Sequence, residues 1–447
     1  MPPRVVITGM GWVTPLGHDL ATVWQALLEG RSGMGRISRF DAGTFKTDFA
    51  AEVKNYRFEE FIDDAEAHRD AGLNTKFALG AGSQAMRQSG LDAFAAKGKL
   101  NRRRFGVYLG SGEGTLDFDN YAHAHLAGWD ESARRVSGVA FAKAGFASMS
   151  PVREIEQEAN MTLSHVAWAF GARGPASNCL TACAASTQAI GEAFEIIRRG
   201  DVDAMLAGGA HTMIHPLGVT GFIRLTALSA RREDPTKAAR PFDQSRDGFV
   251  MGEGAGMLVI ETLDHALARG ATPLAEITGY GSSADAFRIT DMHDEGRGPQ
   301  NAMLGALRQA GINPREPADD GRPPIHYICA HGTGTKENDK IETHAIKQVF
   351  GHLAPKIPVS SIKSMMGHLI AAAGVVELIT CVQAIRTGWV PPTMNYATPD
   401  GGLDLDYIPN KARRICDENG NSLVRVCMSP NYGFGGQNDA LVVRAMQ

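Results

Sequence analysis

The 447 residues of this chain predict an α/β fold made of two related halves. Strand-like apolar runs alternate with helix-length segments through most of the sequence, which is typical of α/β layers. Residues 5–11 have the pattern of a first strand and its turn, and a similar opening recurs at residues 274–281. The chain is also long enough for two domains or for one large duplicated unit. We therefore place one half at residues 1–262 and the other at residues 263–447.

The composition of the chain argues against several classes of function. A hydrophobic fraction of 43%, a charged fraction of 21% and a formal net charge of -4 are typical of a globular protein. Nucleic-acid binders are usually basic, so we expect no nucleic-acid partner. The first residues lead directly into a strand, without the charged and apolar regions of a signal peptide. We also expect that no apolar stretch is long enough to span a bilayer, and hence no membrane span. The 6 cysteines do not resemble a disulfide framework, which favours the reducing cytoplasm.

Cys183 lies where a short strand-like run turns directly into a helix-patterned segment. The apolar residues that share one face of that segment are Ala189, Ile190, Ala193, Phe194 and Ile197. Free backbone N–H groups and the positive end of the helix dipole predict a lowered pKa for a thiol at this position. We therefore expect a nucleophilic thiolate, and a buried structural thiol is the alternative that fits most single cysteines.

Three further segments set polar residues among glycines, where a substrate can approach closely. His331 follows a strand-like run and opens the sequence His-Gly-Thr-Gly-Thr. His368 opens a helix of small residues and follows Lys363 by five positions. The third segment is the glycine-rich loop at residues 430–438, just before the last strand. A single histidine is usually structural, but two in glycine turns after buried strands indicate a site.

Four separated motifs carry a family resemblance. They are Thr181-Ala-Cys183, His331-Gly-Thr-Gly-Thr335, Lys363-Ser-Met-Met-Gly-His368 and Gly433-Phe-Gly-Gly436. In this order and context, they resemble the β-ketoacyl-acyl carrier protein synthases of types I and II, and polyketide ketosynthases. The resemblance covers nearly the whole chain. It implies the thiolase fold, an internally duplicated five-layer α-β-α-β-α sandwich, which agrees with the alternation and the repeat.

The resemblance implies a Cys-His-His site for a decarboxylative Claisen condensation. Cys183 would take the acyl group from a thioester, while backbone N–H groups of Cys183 and Phe434 stabilise the oxyanion. Neutral imidazoles of His331 and His368 would donate to the enolate that forms when a malonyl thioester loses carbon dioxide. Attack of the enolate on the acyl-cysteine would give a β-ketoacyl-acyl carrier protein. The resemblance implies no cofactor and no metal.

Other side chains receive supporting roles from the same resemblance. Lys363 would be a buried ammonium that organises the site together with Glu377; the alternative is a lysine that faces solvent. The hydroxyls of Thr333 and Thr335 would contact the pantetheine arm of the carrier protein. The resemblance therefore implies an acyl carrier protein as partner, and it also implies a homodimer, with a heterodimer with a related subunit as the alternative.

The loop around Phe434 would gate the site. Its apolar ring would swing aside when an acyl chain loads, with flanking glycines such as Gly435 as hinges and substrate contacts. Plain core packing is the alternative.

The resemblance breaks at Glu113. Type II enzymes usually have an apolar or small residue there, near the bottom of the acyl pocket. An unpaired carboxylate beside an alkyl chain is costly, so we expect Glu113 to be paired, to face away, or to shape a different pocket. Residues 116–149 form a long excursion directly after this turn and indicate a reshaped acyl tunnel or dimer face. We therefore expect a specialised acyl preference.

Two other functions are compatible with parts of the pattern. One is a non-catalytic partner subunit, which shares the family fold but lacks the nucleophile. The presence of Cys183 argues against this function. A thioester or peptide hydrolase with a cysteine and a histidine needs only one imidazole as base, whereas His331 and His368 together fit decarboxylation better.

Overall fold

A computed structural model describes residues 2–112, 114 and 116–446. Its strands are β1 (Val5–Val13), β2 (Gly35–Arg36), β3 (Phe49–Ala50), β4 (Phe105–Ser111), β5 (Trp129–Asp130), β6 (Arg135–Val136), β7 (Ala176–Cys179), β8 (Ala204–His211), β9 (Gly254–Thr262), β10 (Ala275–Ala284), β11 (Tyr327–Cys329), β12 (Val359–Ser360), β13 (Trp389–Val390), β14 (Arg413–Arg414), β15 (Val426–Gly433) and β16 (Gln437–Arg444). Its α-helices are α1 (Leu20–Leu28), α2 (Leu73–Ser89), α3 (Leu91–Ala96), α4 (Phe118–Gly128), α5 (Gly138–Ser148), α6 (Pro151–Glu156), α7 (Asn160–Phe170), α8 (Ala185–Arg198), α9 (Pro216–Arg224), α10 (Leu263–Ala268), α11 (Arg297–Gln309), α12 (Lys336–Phe350), α13 (Lys363–Met366) and α14 (Ala373–Thr387). The alternation confirms the predicted α/β class.

The main sheet shows the internal duplication directly. Its 10 strands lie in the order β12-β11-β15-β16-β10-β1-β9-β8-β4-β7. In the first half, β4 pairs in parallel with β7 and β8, and β9 pairs antiparallel with β8 and β1. In the second half, β11 pairs in parallel with β12 and β15, and β16 pairs antiparallel with β15 and β10. The halves join where residues 5–7 of β1 pair with residues 275–277 of β10. The predicted boundary after residue 262 falls at the end of β9.

The helices complete a five-layer sandwich. Helix α2 packs on β1 and β9 of the first half, and α11 packs on β10 and β16 of the second. Helix α8 contacts β4 and β8 but also β10 and β16, while α14 contacts β11 and β15 but also β8 and β9. These two helices therefore lie between the two halves of the sheet, as the thiolase fold requires.

The central position of α14 explains its apolar sequence. The stretch Ile370–Thr387 has the length and the mean hydropathy, 1.5, of a membrane span, but 89% of it is buried in the protein. The expectation that the chain has no stretch of this kind was wrong. A helix between two sheets must be apolar on nearly every side, so the same composition here describes a core helix.

Residues 116–149 fold into an ordered excursion. Helices α4 and α5 pack against each other and are joined by the hairpin of β5 and β6. Several of their apolar side chains remain in solvent, with Leu126 77%, Val139 69% and Phe146 93% exposed. The segment lacks a strong hydrophobic period because few side chains of its helices are buried, so neither helix needs a continuous apolar face.

Candidate active site

The turn between β7 and α8 presents Cys183. Residues Ala182–Ala184 form a short 3-10 turn, and α8 begins at Ala185. Ala182 has a left-handed φ of 47°. That conformation costs a non-glycine residue about 1 kcal/mol, and here it turns the chain sharply so that Cys183 lies at the start of the helix. The side chain is buried, in the layer between the sheets.

His331 follows the buried end of β11. Its backbone N–H and that of Gly332 donate to the two carboxylate oxygens of Glu342 at 2.8 and 2.7 Å. Glu342 lies on α12, so this helix fixes the glycine turn from below. The turn thereby holds the imidazole in one place.

His368 lies between α13 and α14. Its backbone N–H donates to the Val250 carbonyl at 2.7 Å, and its own carbonyl accepts the N–H of Gly252 at 2.9 Å. Two residues later, Ile370 has a left-handed φ of 48°. The two backbone bonds tie this turn to the segment that enters β9.

The structure brings the three predicted reactive side chains together. The His368 Nε2 atom lies 3.0 Å from the Cys183 sulfur. The rings of His331 and His368 are 5.4 Å apart between centroids and nearly perpendicular, at 84°. One thiol and two imidazoles thus surround one small volume, although the residues come from opposite halves of the chain.

Hydrogen-bond partners fix the ring protons of both imidazoles. The Nδ1 atom of His368 accepts the Ile370 backbone N–H at 3.2 Å, so its proton is on Nε2. The Nδ1 atom of His331 accepts the Asn431 amide at 3.2 Å and lies 3.4 Å from the Lys363 ammonium, so its proton is also on Nε2. Burial, and then the charge of Lys363, holds the pKa of both imidazoles well below its ordinary value. Both rings are therefore neutral and present N–H donors.

Lys363 is buried and fully hydrogen-bonded. Its ammonium donates to the His331 carbonyl at 2.6 Å, to the Glu377 carboxylate and to the His331 ring. The second oxygen of Glu377 accepts the Asn431 amide at 2.6 Å, and the Asn431 carbonyl accepts the Thr187 hydroxyl at 2.5 Å. Burial raises the pKa of Glu377 to about 7, against the opposing charge of Lys363. The lysine therefore does not face solvent.

The thiol of Cys183 differs from the sequence-based expectation. Burial raises its pKa to about 12, and the charge of Lys363 opposes this only in part. The predicted lowering was wrong because it considered the local helix end and ignored the loss of water around a side chain that is 6% exposed. The resting residue is a thiol at neutral pH.

Two backbone N–H groups lie against the Cys183 sulfur, and they belong to Cys183 and Phe434. Gly433 makes this approach possible, because a Cβ atom there would lie 2.5 Å from the Thr181 carbonyl oxygen. The Phe434 side chain is 39% exposed at the rim of the site. Gly435 has a left-handed φ of 96°, and its N–H donates to the Ile289 carbonyl at 2.8 Å.

A cavity of about 70 Å³ lies beside these groups. Thr333 and Thr335 line it, and their hydroxyls are 3.0 Å apart. Thr335 also accepts the Asn338 N–H at the start of α12, so part of its hydrogen-bonding capacity is structural. Carboxylates of Asp285 and Asp291 contribute to the same wall. The space is large enough for the reacting atoms and too small for a long acyl chain.

Some residues depart from the sequence-based picture. Glu113 lies outside the described residues. Asn431 and Glu342 hold His331 in place but were assigned no role. Asn431 gave a usable signal, since it is a polar residue in a buried strand two positions before Gly433. Glu342 lies on an ordinary amphipathic helix and gave none.

Cys183, His331 and His368 also offer one sulfur and two nitrogen donors within 4.8 Å of one another, a set that zinc can accept. A metal would need the lone pairs of both Nε2 atoms. The partners of the two Nδ1 atoms instead keep protons on Nε2, as described above. The arrangement therefore fits donating imidazoles better than metal ligands.

Two family models match the chain. One, described as the beta-ketoacyl synthase N-terminal domain, matches residues 3–266, and the corresponding C-terminal domain matches residues 274–397. The chain is 41% identical to 3-oxoacyl-(acyl-carrier-protein) synthase 2 of Synechocystis sp., over 99% of this chain and 98% of that protein. It is 40% identical to the protein of the same name from Coxiella burnetii, over 98% of each.

Solved structures agree with these sequence relatives. A beta-ketoacyl synthase from Burkholderia phymatum has a TM-score of 0.84 and 32% identity, with 100% of both chains covered. A ketosynthase in complex with its type II PKS acyl-carrier protein, bound to the hexaketide, has a TM-score of 0.83 and 32% identity over 100% of both chains.

Proposed function

The chain belongs to the beta-ketoacyl synthase family, and from this premise we propose how its own residues perform the family's reaction. The protein is a condensing acyltransferase that joins an acyl thioester to a malonyl unit and forms a β-ketoacyl-acyl carrier protein. The observation that best supports the assignment of residues is the convergence of the Cys183 sulfur with two neutral imidazoles, His331 and His368, that both carry Nε2–H donors.

In the first step, Cys183 takes the acyl group. The thiol adds to the carbonyl of an acyl thioester, and the N–H groups of Cys183 and Phe434 stabilise the oxyanion that forms. The carbon–sulfur bond to the carrier then breaks. Because His368 already carries its proton on Nε2, the proton of the thiol leaves with the carrier's sulfur. The product is acyl-Cys183 and a free carrier thiol.

In the second step, a malonyl thioester loses carbon dioxide. The electrons of the breaking carbon–carbon bond form an enolate, whose oxygen accepts the Nε2–H groups of His331 and His368. The enolate carbon attacks the acyl carbonyl on Cys183, and the carbon–sulfur bond to Cys183 breaks. The cysteine sulfur takes up a proton, and the β-ketoacyl group remains on the carrier.

Lys363 is a positioning residue in this scheme. Its charge opposes protonation of both imidazoles, and its hydrogen bonds hold the His331 turn. Glu377 balances that charge inside the protein. Without the pair, we expect a smaller lowering of the pKa of both histidines and a less fixed His331 ring, while burial still favours the neutral form.

We propose an acyl carrier protein as the substrate-bearing partner. The 70 Å³ cavity with Thr333 and Thr335 on its wall supports this role as the place where a pantetheine arm would end. Phe434 stands at the rim as the gate, and Gly435 beside it as a hinge.

We propose that the protein works as a homodimer in the cytoplasm. β7 lies at the edge of the sheet with unpaired backbone groups, and Trp168 and Leu180 near it are 62% and 59% exposed. Such an edge favours pairing with a second copy. The 6 cysteines are all free, in keeping with a reducing compartment. Sedimentation of the protein and of its Leu180→Lys variant measures whether each is a dimer in solution. The alternative, a heterodimer, would form only with a related subunit.

We also propose a specialised acyl preference. An apolar cavity of about 540 Å³, lined by Met213, Phe222 and Leu116, lies next to the excursion. Mass spectrometry of Cys183 after incubation with a ladder of acyl-carrier proteins would show which chains load. Replacing Glu113 by Ile should change that profile, and an unchanged profile would contradict the proposal.

One assay separates condensation from the two other functions. Decarboxylation of a malonyl thioester that is sensitive to iodoacetamide, together with formation of a β-ketoacyl product, is the expected result. A non-catalytic partner subunit would show neither, and a hydrolase would release free acid without condensing.

A further inference from the structure

His211 is a buried histidine that no step above uses. It ends β8 and is 3% exposed. Neither ring nitrogen has a hydrogen-bond partner within the described residues. Each unpaired buried polar atom costs about 1 to 3 kcal/mol, so an arrangement of this kind calls for a ligand that supplies the missing partners.

The pleat of β8 places His211 on the side of the reacting groups. Alternate residues of a strand share a face, so Ala207 and Gly209 lie on the same face of β8 as His211. Ala207 packs in the central core. Gly209 faces the active-site turns, because a Cβ atom there would lie 2.8 Å from the Ala371 carbonyl and 2.8 Å from Ser186. His211 continues that face by one pleat. A Cβ atom at Gly112, the residue that follows β4, would lie 2.8 Å from the Nδ1 atom of His211, so the ring lies close to that glycine.

The residues around His211 lie on the side of Cys183 where we place the acyl chain. Met213 and Ile214 follow it in the chain and pack in the apolar cluster that contains Cys183. Met213 also lines the cavity of about 540 Å³. Burial, and then the charge of His215, lowers the pKa of His211 to about 4, so the ring is neutral at physiological pH. The neutral ring carries one N–H donor and one acceptor, and it lies two residues before Met213, which lines that space.

We propose that His211 is a specificity-determining residue that hydrogen-bonds an oxygen atom on the acyl chain carried by Cys183. The substrates would then be hydroxy- or oxo-acyl thioesters, in preference to fully reduced chains. This inference rests on the proposed function and names its substrate class.

The chemistry of a neutral imidazole favours a hydroxyl or a keto group. A hydroxyl can pair with both the donor and the acceptor of the ring, and a keto oxygen can pair with the donor. A reduced chain leaves both atoms unpaired, which is the origin of strong discrimination in sites built around a hydrogen bond. A chain that ends in a carboxylate is disfavoured, because an ionised group in this apolar space would have no positive partner in His211.

The test compares pairs of acyl-carrier proteins with equal chain length. One member of each pair carries a hydroxyl or keto group, its position varied along a ladder, and the other is fully reduced. The rate of Cys183 acylation is followed by intact-protein mass spectrometry. We expect at least one oxygenated chain to load about 10-fold faster than its reduced partner in the unaltered protein. In His211→Leu this ratio should fall to about 1, and His211→Gln should retain part of it.

His326 provides a matched control. It is also buried, has an Nε2 atom without a hydrogen-bond partner among the described residues and has a pKa lowered to about 4 by burial, but it lies in the other half, directly before β11. His326→Leu should leave the ratio unchanged. Equal loading of all paired chains by the unaltered protein, or a preference that survives His211→Leu, would overturn the inference. If the paired chains load Cys183 at equal rates, the proposed function still stands and only the inference about His211 is overturned. If no chain loads Cys183, the proposed function and the inference are both overturned.

Discussion

The turn before α8 and the turn before α14 have the same backbone but carry different chemistry. Each begins with a left-handed residue, Ala182 with φ 47° and Ile370 with φ 48°, followed by a 3-10 turn and a central helix. The helices begin at Ala185 and Ala373. The second residue of the turn is Cys183 in the first half and alanine in the second, so the halves agree in shape while only one holds a nucleophile.

The second half contributes imidazoles where the first has none. His368 lies three residues before Ala371, and the position three residues before Cys183 is Leu180, an exposed apolar residue. The difference teaches that duplication supplied the geometry and that later divergence separated the tasks. The first half holds the acyl group, and the second stabilises the enolate.

Removing the nucleophile should separate the two tasks most sharply. In Cys183→Ala, we expect no acyl-enzyme and a loss of condensation of at least ~1000-fold, since Cys183 is the thiol that the described part of the chain groups with the two imidazoles. Malonyl decarboxylation should persist, because both Nε2–H donors remain. Mass spectrometry and release of labelled carbon dioxide measure the two activities, and parallel loss of both would break the comparison between the halves.

Removing an imidazole should have the opposite pattern. In His331→Ala and in His368→Ala, we expect decarboxylation to fall by ~100- to 1000-fold, because an enolate donor is lost. Acylation of Cys183 should survive in His331→Ala, because it is the His368 ring that lies within hydrogen-bond distance of the sulfur. His326→Ala serves as the control for a buried histidine elsewhere. An unchanged decarboxylation rate would contradict the division of tasks.

Replacing Lys363 tests how the second half keeps its donors neutral. In Lys363→Met, the loss of a positive charge should raise the pKa of both histidines, so the acid limb of the decarboxylation profile moves to higher pH. The variant should also lose about 3 kcal/mol in free energy of unfolding, since Glu377 is left unpaired. Lys363→Met with Glu377→Leu should recover stability without restoring the acid limb. An unmoved limb would exclude the electrostatic role.

Alkylation of Cys183 tests whether the helix end or burial dominates in the first half. With a pKa of about 12, the rate of reaction with iodoacetamide should rise about tenfold per pH unit between pH 7 and 9, without a plateau. Cys183→Ala defines the background from the other cysteines. A plateau below pH 8 would show that the helix end prevails over burial.

Glycine at the two left-handed positions should give the smallest effect. Ala182→Gly removes about 1 kcal/mol of backbone strain but adds a similar entropy to the unfolded chain, so stability should change by less than ~1 kcal/mol. Ile370→Gly also loses a side chain that packs beside Cys183, and should destabilise by about 2 kcal/mol. Denaturant titrations of both variants measure this. Equal losses would mean that the two turns are not strained alike.

The sequence singles out the three residues that converge because each lies at the end of an apolar run, and glycines lie beside the two histidines. Cys183, His331 and His368 therefore all have local signals, and the repeat of first strands predicts the duplicated sheet. The family resemblance then supplies the order of layers.

Other properties of the site depend on contacts that no local pattern contains. Asn431 reaches His331 across 100 residues of sequence, and Glu342 supports the same turn from an ordinary helix face. The thiol pKa follows burial by the whole fold, so the local helix end misleads. Helices α4 and α5 have no strong period because few of their side chains are buried.

The unequal pair of turns also has a genetic consequence. Two copies of a half-length protein, encoded by one gene, would have to place the same residue in both turns. Cys183 and Ala371 could differ only once each half had its own coding sequence. The link between β9 and β10 adds a fixed pairing, because every molecule then contains one half with the thiol and one half with the imidazoles.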